Sequence, residues 1–371
     1  MESIYRQLQR KINMIGVGLP ESDRGFDTDY LKVLFTPEEA EFALKMDLVG
    51  MQTADEVAGS MGIPVEEAQR MLDMMCSHGL VYRRKSKEDG LFRYKLVGTY
   101  HGFFEWNVGQ MEPAWVKPMV KHNISGLSRI FWTSQRPLFR YLPIRPELVE
   151  NNECLDIDNV EKIIRSKDKI GIVPCFCRET ADMYAGKEDN CRHKSKKGNE
   201  ICIGFGDFVD FYADVMHVGR RITADEALEL IHKCSENGTA AMVLNDKTVE
   251  GMCSCCPCCC GVVGGLRTFG PGRALGHVSN YVAVRDDALC TNCGLCVKRC
   301  PTRGQSKKEG DEKVKFDSTR CLGCGLCVDT CPSKALKLVR LPENEFTYPT
   351  SEDYPELLDE LAADRKSTHL L

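Results

Sequence analysis

No stretch of this 371-residue chain approaches the roughly 18 uncharged apolar residues that a membrane-spanning helix needs. The opening MESIYRQLQRKINMIGVGLP has neither a continuous apolar core nor a small-residue cleavage site, so it does not read as an export signal. A glycine-rich dinucleotide fingerprint is also missing. GFGDF lacks the third glycine and GVVGGLRTFG has the wrong spacing, which argues against an intrinsic nicotinamide or flavin site. A net charge of −5 provides no general attraction to nucleic acid or to an anionic membrane. The expectation is a cytoplasmic protein with no membrane insertion, in a compartment that keeps thiols reduced.

Cysteine is what the chain has in excess, with 21 residues. In a reducing compartment such numbers read as metal ligands or redox groups rather than as staples. The densest run is GMCSCCPCCCG, which packs six cysteines between Cys253 and Cys260. Neighbouring cysteines close strained rings, so these six cannot all be mutual disulfides.

The length suits two or three domains, and the pattern predicts an α+β multidomain chain. Residues 1–98 are expected to form a winged-helix-like domain with an N-terminal extension. Thr36-Pro37-Glu38-Glu39 and Thr53-x-x-Glu56 start two helices, PVEEAQRMLDMMCSHG supplies a third, and VYRRKSK and LFRYKLV make a hairpin around Asp89-Gly90. Residues 99–153 form an irregular connector rich in proline and aromatics (Phe103, Phe104, Trp106, Trp115, Phe131, Trp132), too apolar for a free linker and expected to wrap onto a neighbour. Residues 154–279 read as an α/β cysteine-rich domain: KIGIVP and AAMVLN are strands, TADEALELIHKCSENG is a capped helix, and both strands lead into cysteine-bearing loops. Residues 280–340 carry an internal repeat, and residues 341–371 form an acidic tail expected to be a surface strap or frayed end.

The repeat is CTNCGLCVKRCP from Cys290 and CLGCGLCVDTCP from Cys321. Three cysteines at x2 spacing aim three thiolates at one cubane, and the fourth leaves with a helix to ligate the other cluster. That rule groups Cys290, Cys293, Cys296 and Cys331 on one [4Fe–4S] cluster, and Cys321, Cys324, Cys327 and Cys300 on the second. Gly294 and Gly325 keep bulk away from the sulfurs. Zinc also uses paired CxxC, but not three cysteines at x2 spacing plus Cys-Pro, twice. The motif resembles two-cluster bacterial ferredoxins over about 60 residues. More loosely, residues 170–335 resemble anaerobe iron–sulfur proteins in which a PCxCR element (Pro174, Cys175, Cys177, Arg178), scattered cysteines, a CC-rich loop and SNYVAV precede such a domain. That resemblance implies electron transfer in anaerobic metabolism with a redox partner protein, and names no substrate.

Thirteen cysteines lie outside the repeat. Cys76, Cys154 and Cys234 read as structural. Cys175, Cys177, Cys191, Cys202, Cys253, Cys255, Cys256, Cys258, Cys259 and Cys260 remain, and a subset is expected to hold at least one additional Fe–S cluster. Within the loop, Cys253-x2-Cys256-x2-Cys259 repeats the cubane register and Cys255-x2-Cys258 interleaves with it. Cys259-Cys260-Gly261 resembles the CCG element of heterodisulfide reductases, although that family's flanking cysteines are missing. A zinc or storage-type thiolate loop is the bland alternative. Arg178 reads equally as a charge-balancing group or a surface arginine, and His193 as a solvated residue of a basic run.

The expected function is an iron–sulfur electron-transfer protein that relays single electrons through two ferredoxin-type clusters to or from the further site and a partner oxidoreductase (a reductase, dehydrogenase or flavoprotein). Two alternatives stay open: a redox-sensing regulator that reads DNA with the winged helix, and a reductase with its active site at the extra cluster. Glu66 and Glu67 open the third helix, where a DNA reader would present basic or amide groups, so docking is favoured over DNA despite Arg83, Arg84, Lys85 and Lys87 in the wing.

Overall fold

Thr36 and Thr53 each accept from the N–H of the glutamate three residues on, and the Glu39 and Glu56 carboxylates return bonds of 2.8 and 2.7 Å to the capping N–H groups. These reciprocal caps start the helices Pro37–Lys45 and Ala54–Met61. Val65–Ser77 follows, then an antiparallel hairpin pairing Val81–Lys85 with Phe92–Leu96. The computed structural model describes residues 2–124, 136–185, 191, 200–269 and 279–367, and mixes helix and sheet along its length. None of its described helices is long and apolar enough to cross a membrane.

The connector is more regular than its prolines suggest. Pro113 sits at the first position of a helix, Pro113–His122, that also contains Pro118 and packs on Phe26–Leu34. Its aromatics wrap inward: Phe103, Phe104, Trp106 and Trp115 are buried, and Phe104 stacks on Phe176 with ring centroids 5.7 Å apart. Phe131 and Trp132 lie outside the described residues. The connector also contributes a strand, Phe139–Leu142, to the central sheet.

That sheet runs in the order Phe139–Leu142, Ala240–Leu244, Gly251–Cys255, Glu200–Phe205, Ile170–Pro174, Arg220–Arg221. Every pair is antiparallel, so the central unit, expected as α/β, alternates helix and strand in sequence without parallel crossovers. Strand direction leaves no trace in hydrophobic periodicity. One face sends Leu142, Val243, Met252 and Ile203 into an apolar core under the helices Val160–Arg165 and Ala224–Glu236. Alternation therefore turns Cys202, Cys253 and Cys255 to the opposite face. Cys253 and Cys255 lie on the strand itself rather than in a loop.

The tail ends in a helix, Tyr354–Ser367, rather than a frayed strap. Tyr354, Leu357, Leu358 and Leu361 are buried against the N-terminal core. Asp359 meets Lys95 Nζ at 2.7 Å, Asp353 meets Arg84 at 2.6 Å, and the buried Arg365 donates to the Gly16 carbonyl at 3.2 Å. Gly18 lies so close that a Cβ there would sit 2.1 Å from Arg365, so only glycine fits at this position, where φ is 83°.

The helix start bears on Glu250, which is 7% exposed and accepts the Tyr354 N–H at 3.0 Å. Burial first, then Asp246 and Asp353, pushes its carboxyl up to about 8, against the Tyr354 N–H and Arg84. Because the folded value is raised, the stability it contributes is fully present below the ordinary value of 4.5 and is lost as pH climbs to about 8. Glu250→Gln is expected to remove a fall in stability on the order of 2–3 kcal/mol between pH 5.5 and 8. Melting curves across that range check it, and an unchanged slope would count against this assignment.

Candidate metal centres

The two CxxCxxC runs share a sequence but not a setting. Gly294 and Gly325 both take the left-handed conformation, with φ 79° and 78°, leading into the short helices Leu295–Arg299 and Leu326–Asp329. A Cβ on Gly294 would meet nothing within 4 Å, whereas one on Gly325 would lie 3.1 Å from Leu148. The first run faces outward, with Cys293, Leu289 and Leu295 exposed. The second is packed on the central unit, with Cys324 buried and its carbonyl accepting the Ile144 N–H at 3.0 Å.

Cys300 leaves the first run and lines one cavity with Cys321, Cys324 and Cys327. Cys321 Sγ accepts N–H groups of Ala283 and Gly323, both at 3.4 Å, and Cys300 Sγ accepts that of Gln305 at 3.5 Å. Burial first, and then the charges of Cys321 and Cys300 against the Leu326 N–H, pushes the Cys324 thiol up to about 12. In the outer run, Cys290 and Cys293 are the thiolate neighbours of Cys296, and Cys331 lies half-buried with Sγ 3.7 Å from Ser333 Oγ.

In the central unit, sheet register gathers six cysteines into a ring. Val173 pairs with Cys202, and Ile203 with Met252, which sets Cys202 beside Cys253. Cys255 lies two residues further along the same face. Cys175 follows the end of the strand Ile170–Pro174, Cys177 opens the helix Phe176–Ala185, and Cys260 precedes the helix Gly261–Phe269. Around the ring, Cys175 contacts Cys177 and Cys202, Cys202 contacts Cys253, Cys253 contacts Cys255, Cys255 contacts Cys260, and Cys260 returns to Cys177. Cys175, Cys253 and Cys260 each accept from thiols on both sides and are pulled toward thiolate, Cys260 to about 5. Donating to them pushes Cys177, Cys202 and Cys255 the other way.

The ring borders a cavity of about 60 Å³, shared with His101, Glu105 and Met242. Burial, helped by the Cys253 charge and opposed by the Glu105 and Gly102 N–H groups, lifts the Glu105 carboxyl to about 8. Burial alone lowers His101 to about 4. Both are thus displaced toward their neutral forms, leaving sulfur and Arg178 as the charge-bearing groups of the cavity. Arg178, 1% exposed, is the cation beside it. Burial disfavours its charge, but Cys175, Cys256 and Cys191 outweigh that and raise it. Of the two readings of Arg178, the structure adopts the charge-balancing one.

The remaining four cysteines converge beside the ring, and Cys256 and Cys259 also line its cavity. Cys191 Sγ is 3.5 Å from Cys256 and 3.2 Å from Cys258, and Cys258 is 3.4 Å from Cys256. With Cys259 they form a set whose sulfurs all lie within 4.8 Å of one another. Cys76 and Cys154 stand apart, Cys76 buried in the N-terminal core and Cys154 beside the Tyr281 hydroxyl, whereas Cys234, on the helix Ala224–Glu236, packs against the ring member Cys175. His193 lies outside the described residues.

Sequence reasoning passed over one residue, Tyr141. It is fully buried on the sheet face that carries the ring, opposite Met242, which in turn pairs with Cys253. Its hydroxyl has no hydrogen-bond partner among the described residues. Burial first, then the charges of Cys255, Cys260 and Cys324, pushes that hydroxyl far up. Tyr141 therefore shares its apolar core with ring members and with Cys324 of the inner ferredoxin run. The alternation of Phe139, Tyr141 and polar Arg140 was the available signal, hidden inside a segment read as irregular.

Residues 283–332 match the family model described as the 4Fe-4S dicluster domain. No curated protein and no solved structure matches the chain. The dicluster domain makes the C-terminal part of this chain an iron–sulfur unit of ferredoxin type. Its role is electron transfer, through 4Fe–4S centres in its C-terminal part.

Proposed function

We propose that the chain is an internal electron relay of anaerobic metabolism, with two [4Fe–4S] clusters and a further polynuclear Fe–S centre held in the six-cysteine ring. Cys290, Cys293, Cys296 and Cys331 hold the outer cluster, and Cys321, Cys324, Cys327 and Cys300 the inner one. The observation that carries the reading is that Cys324 of the inner run, Tyr141 and the ring members Cys255 and Cys260 are buried in one apolar core. The ring suits a polynuclear centre because its six sulfurs surround a cavity, and no three of them meet within 4.8 Å among the described residues. When bound, such a centre supplies one-electron chemistry, while the chain supplies burial, N–H bonds to sulfur and the Arg178 charge that tune it.

The partner oxidoreductase docks at the exposed outer run, where Leu289, Leu295 and Cys293 offer a small apolar patch over the first cluster. We read the winged-helix-like region as a scaffold or docking element rather than a DNA reader. Glu66 and Glu67 lead its third helix, and Arg70, Arg83, Arg84 and Arg93 are paired with Glu38, Asp73, Asp353 and Asp89. Anaerobically prepared protein is expected to contain more than about eight iron and eight labile sulfide per chain, with more than two cluster signals by EPR. A count that stays at about eight in fully loaded protein removes the ring centre, and about four or fewer with tight zinc removes the dicluster assignment.

A further inference from the structure

The ten central cysteines divide into two sets by the spacing of their sulfurs, with Cys256 and Cys259 of the second set also lining the ring's cavity. Ring neighbours touch but leave the middle open, whereas Cys191, Cys256, Cys258 and Cys259 have all four sulfurs within 4.8 Å of one another. Four thiolates on the corners of a cubane are held apart by the width of the cluster, and neither ferredoxin set meets the same limit. Around a single tetrahedral ion with arms of about 2.3 Å, sulfurs stand roughly 3.8 Å apart. The resolved separations of 3.2, 3.4 and 3.5 Å approach that spacing and are far too long for a disulfide.

We propose that Cys191, Cys256, Cys258 and Cys259 form a tetrathiolate site for one metal ion, zinc or mononuclear iron, distinct from every cluster in the chain. Packing alone does not account for the quartet. Cysteines that act as small apolar groups are buried, yet Cys258 is exposed while Cys191 and Cys256 are buried. Three of the ligands come from one turn, Cys256-Pro257-Cys258-Cys259, closed by the Cys260 N–H on the Cys256 carbonyl at 3.1 Å. Pro257 fixes one backbone angle of that turn. The fourth ligand, Cys191, arrives 65 residues earlier in the chain and ties the turn to a different segment.

The turn joins the strand Gly251–Cys255 to the helix Gly261–Phe269, so its two ends are the ring members Cys255 and Cys260. An ion here staples the turn and holds those two sulfurs in place. That positioning role rests on the ring reading, whereas the ion itself does not.

The test uses the full chain purified anaerobically, with total zinc and iron measured beside labile sulfide. Cys258→Ser, at the exposed position, is expected to lower bound metal by about one per chain with sulfide unchanged, and Cys258→His to restore it because zinc accepts a Cys₃His set. X-ray absorption at the edge of the lost metal is expected to show a sulfur shell near 2.3 Å and no metal–metal shell. Loss of sulfide in step with metal in Cys258→Ser overturns the proposal in favour of a cluster, and unchanged metal overturns it outright. Either failure leaves the iron count of the ring to be judged separately, since that count concerns iron accompanied by sulfide.

Discussion

Cys260→Ala is expected to strip the iron and sulfide beyond the dicluster content while leaving the two ferredoxin-type EPR signals in place. Cys260 closes the ring, touching both Cys255 and Cys177, so its removal opens the circle at the point nearest the helix Gly261–Phe269. It is also among the sulfurs that push up the Tyr141 hydroxyl, and it shares one apolar core with Tyr141 and Cys324. Loss there should therefore disconnect as well as empty the centre. Cys76→Ala is the matched control. It is buried at 0% exposure on the helix Val65–Ser77, away from the ring, and should cost on the order of 1 kcal/mol with no change in iron. Full iron and an unaltered spectrum in Cys260→Ala would retire the ring as a centre.

Ending the chain at Asp353 is expected to unfold the N-terminal region. Tyr354, Leu357, Leu358 and Leu361 are all at most 1% exposed, and burying each contributes roughly 1.5–3 kcal/mol. Their sum is comparable to the whole stability of a typical domain, about 5–15 kcal/mol. Truncation also leaves Lys95, 2% exposed, without Asp359, and an uncompensated buried cation adds to the cost. Limited proteolysis should cut first within residues 1–98, while the visible absorbance of the dicluster domain persists. Leu361→Ala is the milder probe, expected to cost about 2–5 kcal/mol in a denaturant melt. Protease resistance unchanged in the truncated chain would show that the helix is peripheral.

Local rules carried the sequence reading a long way. The Thr36, Thr53 and Thr223 caps, the VYRRK/FRYKL hairpin and the inward turn of Phe104 and Trp106 follow from spacing, capping and hydrophobicity, and each is present. What stayed hidden depends on partners distant in sequence. Phe139–Leu142 is a strand because Ala240–Leu244 lies beside it, and four residues flanked by proline give no periodic signal of their own. The tail helix resisted detection because Asp and Glu dilute its apolar stripe, which makes sense only against the N-terminal core. At the candidate site, spacing identified all ten central cysteines as one pool. Their division into six and four depends on the strand register that sets Cys202 beside Cys253, and on the arrival of Cys191 from afar, neither of which a spacing rule contains.

The tail helix also orders events in time. Arg365 closes on Asn13 across 352 positions, and Asp359 on Lys95 across 264, so these contacts form only after the helix Tyr354–Ser367 has left the ribosome. Contacts of such long range are slow to make, and a chain awaiting them exposes the apolar surface they will cover. The ferredoxin repeat needs no such wait, since its strands Tyr281–Arg285 and Leu336–Arg340 pair within one compact segment. Iron and sulfide can therefore enter the C-terminal clusters while the first hundred residues are still unclasped. Maturation would then proceed against the direction of synthesis, with the earliest-made region the last to settle.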